Sequence, residues 1–277
     1  MEFLLLLFFP ALFLLDTGSG SDETSGGEAP SSGPSEQEEV EGTSEDDRIY
    51  SGNDDELIFG FDGHDTIAGG GGDDTIHGGD GGDLIFGESG DDELHGGADR
   101  DLIFGDEGDD LMRGGSQNDI FVGGEGNDTA LGGLHHDTFV GYNFSELGEA
   151  ISEPTQDTVI QFARADQPDT SGADTFYGGY GDDLFLLGGN DTATGGEGDD
   201  TFFVPHNLEG IATITDFTPG EDVVVVSHPV GESDEIEISA DSQGNALITL
   251  NGETLVVLND MAGEVSMTDI NLIERSA

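Results

Sequence analysis

Between Ser51 and Val140 an apolar residue recurs every nine positions: Ile58, Ile67, Ile76, Ile85, Leu94, Ile103, Met112, Phe121, Ala130 and Phe139. Two places before each stands an acid, Glu56 in the first unit and then Asp65, Asp74, Asp83, Asp92, Asp101, Asp110, Asp119, Asp128 and Asp137. Glycines fill most of the space ahead of each acid, as in Gly69-Gly70-Gly71-Gly72-Asp73-Asp74 and Gly123-Gly124-Glu125-Gly126-Asn127-Asp128. A period this short and this regular is read before any single element. Each unit predicts one turn and one very short strand. In a triplet such as Thr75-Ile76-His77 the middle side chain points opposite to its neighbours, hence inward. The glycines serve positions that need positive φ or close stacking of turns. Two units make one coil, so units two apart stack. One sheet then aligns Ile58, Ile76, Leu94, Met112 and Ala130, and the other aligns Ile67, Ile85, Ile103, Phe121 and Phe139.

One buried side chain per nine residues is a thin core. Burying it offsets only part of the entropy of ordering nine residues. Stacking the turns also brings like-charged carboxylates together. A bound hard cation with oxygen ligands answers both problems. An acidic, glycine-rich tract with low hydrophobicity reads as disordered on composition alone. Such a tract has no reason to keep an apolar residue two places after every Asp, so the disordered reading describes the same chain without metal.

The units resemble the G-G-x-G-x-D-x-U-x repeat of the RTX calcium-binding proteins, where U is a large apolar residue. The resemblance implies an all-β fold, a right-handed parallel β-roll solenoid closed by a C-terminal antiparallel β cap. It also implies several Ca2+ ions between stacked turns, each held by about six oxygens from turn carbonyls and from Asp carboxylates of units two apart. Four more units follow at Asp174, Asp183, Asp191 and Asp200, with apolar partners Phe176, Phe185, Ala193 and Phe202; the step from Asp183 to Asp191 is eight. The candidate ligands are therefore Asp65, Asp74, Asp83, Asp92, Asp101, Asp110, Asp119, Asp128, Asp137, Asp174, Asp183, Asp191 and Asp200. Some units depart from the pattern: Asp99, Gln117 and His135 take a turn-glycine slot, Arg100 follows Asp99, and Glu56 replaces the first Asp. His135-His136 beside Asp137 raises a transition-metal site, although paired loop histidines are more often incidental.

The flanks divide by composition. Residues Phe3 to Leu15 are apolar except for Pro10, too short for a span of about 20 residues and matched to a signal peptide, so 1–15 reads as a signal or anchor. The usual basic start is missing: Glu2 is acidic and no Lys or Arg precedes the run. Residues 16–47 read as an acidic disordered linker, 48–141 as the first repeat block, 142–168 as an excursion and 169–204 as the second block. In the excursion, Phe144 to Ile151 is a candidate short helix and Asp157 to Phe162 a candidate strand. From 205 to 277 the pattern turns to ordinary β, with strand candidates Ile211–Phe217, Asp222–Val226, Glu235–Ser239, Ala246–Leu250 and Thr254–Leu258. Asn251-Gly252 between two of them signals a hairpin. The segment Ile214 to Val226, with Asp216-Phe217-Thr218-Pro219-Gly220-Glu221-Asp222, resembles the D-F-x-x-G-x-D stretch that follows the repeats in serralysin-type C-terminal regions. That likeness implies a cap and an export role near Asp269 to Ile273.

Charge narrows the partners. The chain carries 62 Asp and Glu against 5 basic residues, a formal charge of -57, and no Cys. Nucleic acid is excluded on electrostatic grounds; the lack of Cys excludes disulfides and thiolate metal sites. No H-E-x-x-H, G-x-S-x-G or G-K-[ST] occurs. The expectation is a non-enzymatic calcium-binding protein, secreted or surface-attached, exported by dedicated machinery and folding on metal outside the cell as a structural, matrix or adhesive module. The competing expectation is the secretion module of an unrecognised RTX hydrolase or toxin. The outward stripe Leu84, Phe86, Leu102, Phe104, Ile120, Val122, Thr138 and Val140 is apolar enough to expect either a cover, from the C-terminal region or a second copy through the Phe86/Phe104 face, or side chains that merely thicken a narrow roll; a cell-surface or matrix ligand is a separate expected partner.

Overall fold

A computed structural model describes residues 38–141, 172–206, 210–229 and 235–275. The first block comprises β1 (Glu38–Glu41), β2 (Arg48–Tyr50), β3 (Glu56–Asp62), β4 (Thr66–Gly71), β5 (Thr75–Asp80), β6 (Leu84–Ser89), β7 (Glu93–Ala98), β8 (Leu102–Glu107), β9 (Leu111–Ser116), β10 (Ile120–Glu125), β11 (Thr129–Leu134) and β12 (Thr138–Val140). Then come β13 (Thr175–Tyr180), β14 (Leu184–Leu186), β15 (Thr192–Glu197), β16 (Thr201–Val204), β17 (Ala212–Ile214) and β18 (Val223–Pro229). The last four are β19 (Ile236–Ala240), β20 (Ala246–Leu250), β21 (Glu253–Leu258) and β22 (Ile270–Arg275). No helix occurs among the described residues.

Successive strands alternate between two sheets. The odd strands from β1 to β17 form the first, followed by β21, β20 and β19; the even strands from β2 to β18, followed by β22, form the second. The architecture is a parallel β-solenoid with one turn of each sheet per two repeats. The register is the one the apolar period predicts: Ile58 faces Ile76, which faces Leu94, while Ile67 faces Ile85 and Phe121 faces Phe139. All ten apolar positions of the first block are fully buried. Farther along, rings replace aliphatic side chains, and Phe121, Phe139, Phe185 and Phe202 stack with centroids 4.8–5.0 Å apart.

The excursion leaves the coil intact. β11 pairs with β13 and β12 with β14 on either side of it, so the two repeat blocks form one continuous roll. The candidate helix and strand between Phe144 and Phe162, and the 1–15 apolar segment, lie outside the described residues. Among the described residues the roll is already formed at Glu38, inside the stretch assigned above to the linker. Glu38 with Val40 and Asp47 with Ile49 keep the nine-residue phase although no glycine run announces them.

At the C-terminal end β17, β18, β21 and β22 continue the parallel pairing. Among the described residues the antiparallel pairings are those of β19 with β20 and of β20 with β21. Asn251 and Gly252 both take positive φ, 54° and 86°, as a two-residue hairpin turn of primed type requires. The outward face of the second sheet is graded. Leu84, Phe86, Leu102 and Phe104 are half-buried, with Phe86 and Phe104 stacked at 4.9 Å, whereas Leu184, Leu186, Phe203 and Val225 form a small buried cluster. On the first sheet Phe59, His77 and His95 stack in a column, and Glu93 accepts from both His95 (3.2 Å) and Arg113.

Candidate metal centre

The strand pattern explains where the acids go. Each six-residue strand such as Thr75–Asp80 turns inward at its apolar residue and again two places later, at a glycine. That inward glycine opens a space between the sheets, and the Asp five residues further on reaches into it. A methyl group on Gly60 would collide with Asp65 Oδ2 and lie 2.5 Å from the carbonyl oxygen of Gly78, one coil further on. The same pairing recurs at Gly78 (Asp83 Oδ2, Gly96 O), Gly87 (Asp92 Oδ2, Gly105 O), Gly105 (Asp110 Oδ2, Gly123 O) and Gly132 (Asp137 Oδ2, Gly178 O). Each glycine vacancy is thus a cradle of oxygens from two coils.

The acids form two columns, one along each edge of the roll. The first edge carries Glu56, Asp74, Asp92, Asp110, Asp128, Asp174 and Asp191. Along it the backbone N–H of each acid donates to Oδ1 of the next, over 2.8–3.0 Å. The second edge runs from Asp47 through Asp65, Asp83, Asp101, Asp119, Asp137, Asp183 and Asp200 to Asp222, with the same bond at 2.7–3.0 Å. All thirteen candidate ligands fall on these two columns, and none is more than 3 % exposed.

Oδ1 is therefore used, and at ten of the candidate ligands Oδ2 is not. In Asp65, Asp74, Asp83, Asp92, Asp101, Asp110, Asp119, Asp128, Asp137 and Asp183 the second oxygen is buried without a hydrogen-bond partner, and Glu56 Oε2 shares that condition. A native fold leaves only a few such atoms, and a whole file of them calls for an explanation such as an ion. Burial is the main reason the carboxyls are pushed up: Asp83 and Asp128 to about 6, Asp74, Asp92, Asp110, Asp137 and Asp200 to about 7, Asp101 and Asp183 to about 8, and Asp119 to about 9. Asp65 shifts the same way. Ionised neighbours in the stack add to the rise at most of these, and the backbone N–H bond opposes it.

These residues fit a hard divalent cation. Among the described residues no group of three or more His, Asp or Glu side chains converges on one point, so carbonyl oxygens such as those of the cradles must complete any ligand set, as suits calcium. His135 and His136 do not converge either. His135 Nδ1 accepts from the Gln117 N–H at 3.3 Å, and His136 Nδ1 accepts from the Asp182 N–H at 2.7 Å.

The departures from the repeat keep its backbone. Asp99, Gln117 and His135 hold φ of 72°, 81° and 83° in the glycine slot, and Phe61, Glu88 and Asp106 do likewise in an earlier one. Three features escaped sequence reasoning. Asp47 and Asp222 extend the second column; each had the signal of an apolar residue two places on, Ile49 and Val224. The third is an outer ladder on the first edge, where the N–H groups of Asp73, Asp91, Asp109 and Asn127 donate to Oδ1 of Asp55, Asp73, Asp91 and Asp109 over 2.8–3.1 Å. The acid pairs such as Asp73-Asp74 thus split between an exposed ladder and a buried one.

The match to a known repeat family agrees with this geometry. The profile of the RTX calcium-binding nonapeptide repeat matches residues 37–144 and 169–204 in overlapping segments, a little over half of the chain. No curated protein matches the chain. Among solved structures it is similar to the AlgE6R3 subunit of the Azotobacter vinelandii mannuronan C5-epimerase, at 22% identity over 54% of this chain and 80% of that one, with TM-score 0.35. It is also similar to the extracellular lipase LipA from Serratia marcescens, at 18% identity over 72% of this chain, with TM-score 0.25. The match spans only 40% of the lipase.

Proposed function

The chain belongs to the RTX calcium-binding nonapeptide repeat family, and from that premise we propose that it is a non-enzymatic, extracellular module whose coils fold on calcium. The observation that carries this reading is the file of buried, unpartnered Oδ2 atoms along both edges. Oδ1 of each Asp accepts the N–H of the acid one coil before it and so ties the two coils together. The inward glycine leaves room for Oδ2 beside a carbonyl of the following coil, and the apolar residue two places after the Asp closes the core. Bound there, calcium supplies the charge that lets stacked carboxylates stay ionised together. With 62 acidic residues against 5 basic ones, self-repulsion opposes the compact chain when that charge is missing.

In a low-calcium cytosol the repeats stay extended and suited to export. At the roughly 10⁻⁴–10⁻³ M calcium typical of extracellular modules, the coils lock into a stiff rod that serves as a structural, matrix or adhesive element. Far-UV circular dichroism tests the coupling. In chelator at neutral pH the chain shows little regular structure, and calcium, but not magnesium, produces a cooperative gain of β signal. Identical spectra in chelator and in calcium would refute the reading.

A further inference from the structure

Asp191 occupies the ligand position of its repeat, is fully buried and lies in the first-edge column. Its second oxygen nevertheless has a different fate from those of Asp74, Asp92, Asp110 and Asp128. The Gly188 N–H donates to Asp191 Oδ2 at 2.6 Å. The cause is in the sequence: the step from Asp183 to Asp191 is one residue short, so Leu187-Gly188-Gly189-Asn190 makes a tighter turn that aims an N–H back at the carboxylate.

The second edge ends in the same manner at both extremities. Thr43 donates its N–H (2.6 Å) and its hydroxyl (2.8 Å) to Asp47 Oδ2, and the Thr218 N–H donates to Asp222 Oδ2 at 2.6 Å. Between these ends the same oxygen is unpartnered at Asp65, Asp83, Asp101, Asp119, Asp137 and Asp183. We propose that Asp191, Asp47 and Asp222 are stops: carboxylates in ligand register whose second oxygen is held by the protein's own donors, so that the calcium columns end there and Asp191 binds no ion. A donor N–H pointing at a carboxylate oxygen takes up one of its lone-pair directions and competes with a cation for that oxygen.

The inference rests on the calcium reading of the ladder, and one experiment separates the two. The full-length chain, Asp110→Asn and Asp191→Asn are folded in calcium, and bound calcium per chain is measured by equilibrium dialysis and atomic absorption. Asp110→Asn loses at least one ion, and Asp191→Asn retains the parent content. Loss from Asp191→Asn equal to that from Asp110→Asn overturns the stop. Full retention by Asp110→Asn overturns the reading of the ladder itself, and the stop with it. Should Asp191→Asn fail to fold, a chain with one glycine inserted after Gly189, restoring the nine-residue step, decides the matter. A gain of one ion supports the stop and an unchanged content overturns it.

Discussion

Replacing Asp137 by Asn removes one charge from the second column while keeping the atom that joins the coils. Asp137 Oδ1 accepts the Asp119 N–H at 2.8 Å, and its own N–H donates to Asp183 at 2.7 Å; an amide preserves both bonds. Oδ2 is buried and unpartnered, and burial pushes the carboxyl from 3.8 up to about 7. A carboxyl whose pKa is raised by folding favours the fold in its protonated form. Its contribution to the metal-free fold is complete below pH 3.8, falls as pH rises toward about 7, and is fully lost above that. Three pKa units at about 1.4 kcal/mol each amount to about 4 kcal/mol at pH 7.5, an upper bound for this one site.

Asn carries no such penalty. In chelator, Asp137→Asn therefore acquires β structure at a higher pH than the parent chain when both are acidified from pH 8 and followed by far-UV circular dichroism. In saturating calcium the sign reverses. The variant has lost an anionic ligand, so it melts at lower urea and needs more calcium to fold. A variant less stable than its parent in both conditions would refute the reasoning, because the buried charge would then not be what destabilises the metal-free roll.

Two further outcomes follow from the coil geometry. Gly79 has φ of 124°, and a methyl there would collide with the Phe61 carbonyl one coil below, whereas Gly220 has φ of 87° with open space around it. Gly79→Ala prevents folding or lowers Tm sharply in calcium, while Gly220→Ala costs about 1 kcal/mol; equal effects in thermal melts would show that stacking distance is not the constraint. Phe139 lies between the rings of Phe121 and Phe185 at 5.0 and 4.8 Å. Phe139→Ala costs about 3–5 kcal/mol by urea unfolding in calcium, and a loss below about 1 kcal/mol would mean the aromatic stack does not hold these coils.

The inward residues, the two sheets and the pairing of units two apart were all legible in the sequence, because an apolar residue two places after an acid can face only one way in a strand. Less visible was where the roll starts and stops. Glu38 with Val40, Asp47 with Ile49 and Asp222 with Val224 carry the same spacing but lack the glycines that made the central units conspicuous. Composition pulled the first two into a linker, and ordinary β propensity pulled the last into an antiparallel cap. β22 was missed because its pairing with β18 is parallel and spans some forty residues, and no turn residue marks a partner that distant. The fate of Oδ2 could not be read at all, since it depends on whether a nearby N–H turns toward the carboxylate.

The excursion shows which part of the repeat matters. Asp128 and Asp174 are 46 residues apart, as are Asp137 and Asp183, yet their N–H to Oδ1 bonds of 3.0 and 2.7 Å match those made across 18 residues. The shortened step to Asp191 also leaves Thr175 opposite Thr192 and Phe176 opposite Ala193. The strict count of nine is therefore not what holds one coil on the next. The necessary pair is an acceptor carboxylate and, two residues later, an inward apolar side chain. Glycine enters where a side chain would fill the cradle or strike the coil below, and Phe61, Glu88 and Asp106 show that even a glycine slot with positive φ admits other residues when the turn is otherwise held. Loops between these pairs are free to lengthen or shorten, and what a change of length alters is the reach of backbone donors toward Oδ2, hence whether a given turn is open to an ion.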